Sequence, residues 1–228
     1  MKYKFDEEKL LGLFLNAENC FSQYAEPFLK DGYVYATDTD KLIRIKAEAL
    51  NGRYKSDKIN YSLSLPNDNC NSLITQVDIE KALASVPQQK ETVTADCSEC
   101  EGAGVVFSEY IDKKGETHEI EAECPICGGI GNEEKETGKI KPFPYAAIAF
   151  GDSKLHACDV QVLLEAMRII GVSIVHLVSQ TDNRIVFRID ENISIMIVVF
   201  MSDNIDAVIP IKEENRHKLI EKESSNIV

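Results

Sequence analysis

Apolar residues recur along this chain in two rhythms, and the change from one to the other divides it into elements. Lys2–Phe5 alternates polar and apolar and predicts a short strand. Asp6 can then cap a helix from Glu7 to Asn19, with Leu10, Leu11, Phe14 and Ala17 on one stripe and Gly12 weakening it modestly. Strands are expected at Pro27–Leu29, Tyr33–Thr37 and Lys41–Lys46, separated by the turns Lys30-Asp31-Gly32 and Asp38-Thr39-Asp40. Residues 47–59 read as a loop, Tyr61–Leu65 as a strand stopped by Pro66, and Val77–Ser85 as a helix that buries Ile79, Ala82, Leu83 and Val86 before Pro87 ends it. Thr92–Ala95 is strand-like. Val105–Ile111 and His118–Glu123 flank Asp112-Lys113-Lys114-Gly115 and predict a hairpin. Asn132–Lys141 reads as a charged linker.

The second half repeats the plan. Ala146–Phe150 and Lys154–Ala157 are strand-like around Gly151-Asp152-Ser153, and the most regular helix in the chain follows. It has Asp159 near its start, Val160, Leu163, Leu164, Met167 and Ile170 on one face, and Gly171 as its C-terminal cap. Ser173–Ser179, Arg184–Ile189 and Ile193–Met201 predict three strands, and the charged tail beyond Asp203 ends in either a helix over Glu213–Lys222 or disorder. Two β-α-β-β-β units with helices on one face of antiparallel sheets imply an α+β fold with internal pseudo-symmetry. On this reading residues 1–95 and 140–205 form the body, 96–132 an insertion and 206–228 the tail.

Composition narrows the class. The 228 residues, 44% hydrophobic, suffice for a substantial core, and the longest apolar run, Ile193–Met201, is too short to cross a bilayer. The start, Met1-Lys2-Tyr3-Lys4-Phe5-Asp6, has no apolar stretch of the kind that directs secretion, and paired reduced thiols fit a cytoplasmic location without membrane attachment. The net charge of -13 is concentrated: residues 91–140 hold 13 Asp/Glu against 4 Lys. A segment this acidic repels phosphate, so the charge pattern gives DNA no support there and favours a basic protein partner or plain solubility.

The chemistry sits inside that acidic segment. Cys97-Ser98-Glu99-Cys100-Glu101-Gly102-Ala103-Gly104 and Cys124-Pro125-Ile126-Cys127-Gly128-Gly129-Ile130-Gly131 each read C-x-x-C-x-G-x-G. Four thiolates at paired two-residue spacing can close a tetrahedron, and the expected occupant is one structural Zn²⁺ on Cys97, Cys100, Cys124 and Cys127. The glycines let the chain fold back so that N–H groups face the sulfurs. A redox pair would need one C-x-x-C and not two matched copies, and the spacing differs from the usual iron–sulfur runs. With all four positions filled by sulfur, no site remains for a reactive water. His118 lies between the pairs and is read as an exposed strand residue. Cys20, Cys70 and Cys158 are read as small buried or indifferent residues.

Two resemblances follow. The repeat resembles the cysteine-rich zinc domain of DnaJ-type co-chaperones, which implies a zinc hairpin and, as one function, an adaptor that binds unfolded or extended peptide. This chain has two copies, enough for one site, and no His-Pro-Asp tripeptide. Tyr33-Val34-Tyr35-Ala36-Thr37-Asp38-Thr39-Asp40-Lys41-Leu42 is similar to the strand-turn-strand of the bacterial DNA sliding clamps (polymerase beta subunit). Lys154–Met201 is similar to their last repeat, with Leu163, Glu165, Ala166 and Gly171 in the helix and an apolar final strand ending in Phe200-Met201. That likeness implies a clamp-like accessory of replication or repair, of phage or mobile-element type, that forms homo-oligomers. The expected DNA-facing helices are poor in cations, with Lys9 set against Glu7, Glu8 and Glu18, and Arg168 alone on the later helix. There is no Ser/His/Asp order, nucleotide-binding glycine loop or H-E-x-x-H, so no catalytic residue is assigned and the expectation is a non-enzymatic scaffold or binding module. Asp38 and Asp40 are read as turn formers, and His156 and His176 as structural histidines.

Overall fold

The computed structural model describes residues 2–15, 25–56, 65, 68 and 70–213. In chain order the elements are α1 (Glu7–Gly12), β1 (Phe28–Lys30), β2 (Tyr33–Thr37), β3 (Lys41–Lys46), a 3₁₀ turn (Ala47–Ala49), β4 (Lys55–Ser56), β5 (Ser72–Thr75), α2 (Gln76–Ser85) and β6 (Gln88–Asp96). There follow β7 (Val105–Ile111), β8 (Thr117–Glu123), β9 (Asn132–Pro142), β10 (Ala147–Phe150), β11 (Ser153–His156) and α3 (Ala157–Ile170). The last are β12 (Ile174–Gln180), β13 (Arg184–Arg188), β14 (Ile193–Val198), β15 (Ala207–Ile209) and β16 (Lys212–Glu213). The protein is mostly β with few helices. It divides into a body, Met1–Pro87 with Pro142–Val228, and an insertion, Gln88–Lys141.

The body is built on a nine-stranded sheet in the order β16-β5-β12-β13-β14-β3-β2-β1-β4. Its two halves meet at β14 and β3, antiparallel, with Ile193 opposite Ile45 and Ile195 opposite Ile43. Because strand side chains alternate, that register sends Val34, Ala36, Ile43, Ile45, Ile185, Phe187, Ile193, Ile195 and Ile197 to one face. They join Leu10, Leu11 and Phe14 of the α1 region, Ile79 and Leu83 of α2, and Leu163 and Met167 of α3 in a single core. Each fully buried side chain of this kind contributes roughly 1.5–3 kcal/mol. The opposite face carries a smaller apolar cluster of Phe28, Tyr35, Leu42, Val178, Val186 and Met196. A three-stranded sheet, β11-β10-β15, completes the body.

Local chemistry fixes the element ends. Asp6 caps α1 through the Lys9 N–H at 2.9 Å, and Gly171, at φ 83°, closes α3 with its N–H on the Met167 carbonyl. Asp38 forms its turn by accepting from the Asp40 and Lys41 N–H groups, and the Lys41 ammonium pairs with Asp38 and lies 3.6 Å from Asp159. Those two acids are turn and pairing groups. Glu7 accepts from the Asn51 and Gly52 N–H groups and the Tyr54 hydroxyl, tying α1 to the loop after the 3₁₀ turn.

Several expectations need correction. Lys2–Phe5 is not a strand; Tyr3 instead donates to the Ala49 carbonyl, bonds Asp190 through its hydroxyl and stacks on Phe5. Asn132–Lys141 is no linker, because β9 pairs with β6 in a two-stranded sheet. That pairing places the insertion's boundaries at Gln88 and Lys141, outside the expected 96 and 132. The tail does not begin at 206, since β15 pairs in parallel with β10. The helix expected over Glu7–Asn19 stops at Gly12, with Leu13–Leu15 outside it, while residues 16–19, the strand at 61–64 and the helix at 214–222 lie outside the described residues, as do Cys20 and His217.

Candidate metal centre

In the insertion, β6 and β9 form one two-stranded ribbon and β7 and β8 another, with one C-x-x-C-x-G-x-G repeat at each crossing between them. The crossings are near-copies. The Cys97 N–H donates to the Gly131 carbonyl at 2.8 Å, and the Cys124 N–H donates to the Gly104 carbonyl at 2.9 Å. The first cysteine of each repeat is therefore held by the last glycine of the other. The Gly104 N–H points at the Cys100 sulfur and the Gly131 N–H at the Cys127 sulfur, both at 3.2 Å.

This geometry explains the spacing. A Cβ on Gly104 would stand 2.5 Å from the Gly129 oxygen, and one on Gly131 would stand 2.5 Å from the Gly102 oxygen. Both backbones also lie in the left-handed region, at φ 77° and 83°. Residue five of each repeat takes a left-handed conformation too, carried by Gly128 at φ 60° in the second copy and by Glu101 at φ 50° in the first. The first copy is thus the more strained.

All four sulfurs lie within 4.8 Å of one another. Cys97 and Cys124 Sγ are 3.7 Å apart, as are Cys100 and Cys127 Sγ. A tetrahedron with metal–sulfur bonds of about 2.3 Å has edges of about 3.8 Å, so the donor set fits a tetrahedral thiolate metal. The same separation is far beyond a disulfide bond, and all four cysteines are free. The four are buried, Cys97 and Cys124 completely. Burial disfavours charge on any one sulfur, but the Gly131 N–H and the neighbouring S–H groups outweigh it at Cys127, whose thiol falls to about 7. Cys100, raised first by burial and then by its donation to neighbouring sulfurs, stands at about 11. A metal that displaces these protons relieves the competition among four thiols for one shared volume.

The four cysteines named from sequence are brought together, and His118 is not among them. Its ring stacks on Tyr110 and its Nε2 lies 3.2 Å from Asp112 Oδ2, beside the hairpin turn. Cys70 and Cys158 are free and half-buried in the body. His156 stacks on Phe200, but its Nδ1 is buried with no hydrogen-bond partner among the described residues, so it is not the fully satisfied histidine expected. The signal that sequence reading did not extract is the cross-repeat exchange between cysteine N–H and glycine carbonyl, which only becomes visible when the two copies face each other.

No protein family and no curated protein matches the sequence. Among solved structures, the chain is similar to the DNA polymerase sliding clamp of Bacillus subtilis, with TM-score 0.42 and 9% identity over 87% of this chain and 62% of that one. It is also similar to the DNA polymerase III beta chain of Streptococcus pneumoniae, with TM-score 0.44 and 8% identity over 87% and 63%. A third is the Helicobacter pylori beta clamp bound to a DNA ligase peptide, with TM-score 0.42 and 12% identity over 85% and 62%. The chain thus spans less than two thirds of the length of these clamps.

Proposed function

We propose that this protein is a non-enzymatic binding module whose insertion is cross-linked by one structural Zn²⁺ on Cys97, Cys100, Cys124 and Cys127. The observation that carries the reading is the pair of 3.7 Å sulfur–sulfur edges closed by two N–H···S contacts. Bound there, the metal would supply a cross-link and no open coordination position, since sulfur fills all four. The residues do the rest: Gly104 and Gly131 orient two of the sulfurs, and the burial of the four cysteines keeps water from the thiolates.

The body is read as a scaffold of sliding-clamp-like design serving a replication or repair assembly. The repeated α-β-β-β order, joined edge to edge at β14 and β3, supports that reading. On α1 and α3 the charges favour protein over phosphate as a partner, because Lys9 is paired with Glu165, and Arg168 with Glu80 and Glu165.

Two measurements test the proposal. Elemental analysis of the purified chain should give one zinc per chain, and Cys97→Ser or Cys124→Ser should abolish it; a metal-free chain whose hairpin amides stay protected from exchange overturns the metal reading. Sedimentation with duplex DNA tests the scaffold reading. An oligomer retained on circular but released from linear DNA supports a clamp, whereas a monomer indifferent to both removes the clamp role and leaves the metal centre standing.

A further inference from the structure

We infer that one face of the β7–β8 hairpin docks a basic, extended segment of a partner protein. The inference rests on the reading of this chain as a binding module and names the chemistry of the partner. In the hairpin register Val105 faces Glu123, Phe107 faces Glu121, Glu109 faces Glu119, and Ile111 faces Thr117. Alternation puts all eight on one side of the ribbon. That side therefore carries four carboxylates, interleaved with a phenylalanine and an isoleucine that are 63% and 70% exposed.

Nothing in the fold accounts for this arrangement. Glu109 and Glu119 are directly opposed like charges, which destabilises an antiparallel pair. Among the described residues, no lysine or arginine forms an ion pair with Glu109, Glu119, Glu121 or Glu123. His118 belongs to the other side, next to Tyr110, and turns to Asp112. The companion ribbon of the same insertion behaves differently. On β6 and β9, Lys90 pairs with Glu136, Lys135 with Glu133, and Glu91 accepts from the Thr137 hydroxyl. One ribbon pairs two of its acids with its own lysines, and the other presents four with exposed apolar side chains between.

The occupant follows from charge and period. Nucleic acid and anionic membrane surfaces are repelled, and a second copy of this face has the same sign. An extended polypeptide with lysine or arginine at alternate positions matches the two-residue period of the face, and its intervening apolar side chains can cover Phe107 and Ile111.

The test uses the chain as purified and a fluorescent peptide of alternating lysine and valine, followed by anisotropy. Saturable binding that weakens with salt is expected, and Glu119→Lys/Glu121→Lys should weaken it by about tenfold or more. Phe107→Ser should weaken it several-fold without changing the net charge. Glu8→Lys/Glu134→Lys changes net charge by the same amount at residues outside this face and should bind like the unaltered chain. Equal loss in both double variants, or no saturable binding, overturns the inference, as does tighter association with anionic vesicles or duplex DNA than with the peptide. Zinc content read on the same samples separates the two proposals. A chain that binds peptide without zinc refutes the metal reading alone, and a one-zinc chain that ignores the peptide refutes the docking face alone.

Discussion

In the body, Ile43, Ile45, Phe187 and Ile195 lie at zero exposure, packed with side chains from three helices. In the insertion, every buried residue belongs to one of the two repeats: Cys97, Cys100, Gly104, Cys124, Cys127 and Gly131. Its four strands expose nearly all their side chains. A two-stranded ribbon with no buried face is marginal in water. The body is therefore ordered by an apolar core that any solvent condition favouring burial will sustain, whereas order in the insertion depends on six residues closing around one point. One chain thus holds two regions whose stabilities answer to different variables.

The largest effect expected from that contrast comes from withdrawing the proposed zinc. Structural zinc contributes about 10 kcal/mol or more to small modules of this kind, so a chelator should unfold the insertion completely and leave the body's cooperative transition in place. The reciprocal change is Phe187→Ala, which should cost the body about 3–5 kcal/mol while the protein still retains its metal. Amide exchange read separately over Gln88–Lys141 and over β12–β14 checks both. A chelator that melts the two regions together would show that the apparent independence is false.

A smaller effect within the insertion tests what holds the sulfurs in place. Gly104→Ala forces a methyl against the Gly129 oxygen in a left-handed backbone and should cost about 2–4 kcal/mol, read as weakened metal retention in competition with a chelator. Gly115→Ala, at the hairpin turn, has the same sign of φ but open space around it, and should cost only about 1 kcal/mol. Equal losses at the two positions would mean that conformation and not close approach explains the repeat.

The same division explains what could be read from the sequence. The stripe of Val160, Leu163, Leu164 and Met167 announced α3 because burial on one face writes a period into the chain. The four cysteines announced their cluster because the proposed tetrahedral thiolate site restricts residue type and spacing. β9 gave no such signal: Asn132–Pro142 buries no face, so nothing selects alternation, and a polar strand looks like a linker. Lys2–Phe5 erred in the opposite direction, since Tyr3 and Phe5 alternate in order to pack and not to join a ladder. The joining of β14 to β3 is a pairing across most of the chain, and no local pattern encodes it. β15 is three residues whose partner, β10, lies far upstream.

The smallest expected effect concerns acid. Glu7 in the body and Asp112 in the insertion both gather backbone N–H groups around a carboxylate, and both lie below their usual pKa. For Glu7, burial opposes the charge but the Asn51 and Gly52 N–H groups and the Tyr54 hydroxyl outweigh it; for Asp112 the Glu116 N–H acts first. A depressed carboxylate stabilises the fold above its unfolded pKa, and that contribution disappears as pH falls through the lower folded value. Glu7→Gln should therefore cost the body about 1 kcal/mol at neutral pH, a modest figure because the side chain is only partly buried, and progressively less below about pH 4. The measurement is denaturant unfolding of the metal-free chain, in which the insertion no longer contributes a transition. Asp112→Asn in the same chain should leave the midpoint unchanged at every pH, because its turn belongs to the region already unfolded. A shift in the body's midpoint on changing Asp112 would show that the hairpin retains structure without metal, and would undo the contrast between a region held by its core and a region held by sulfur.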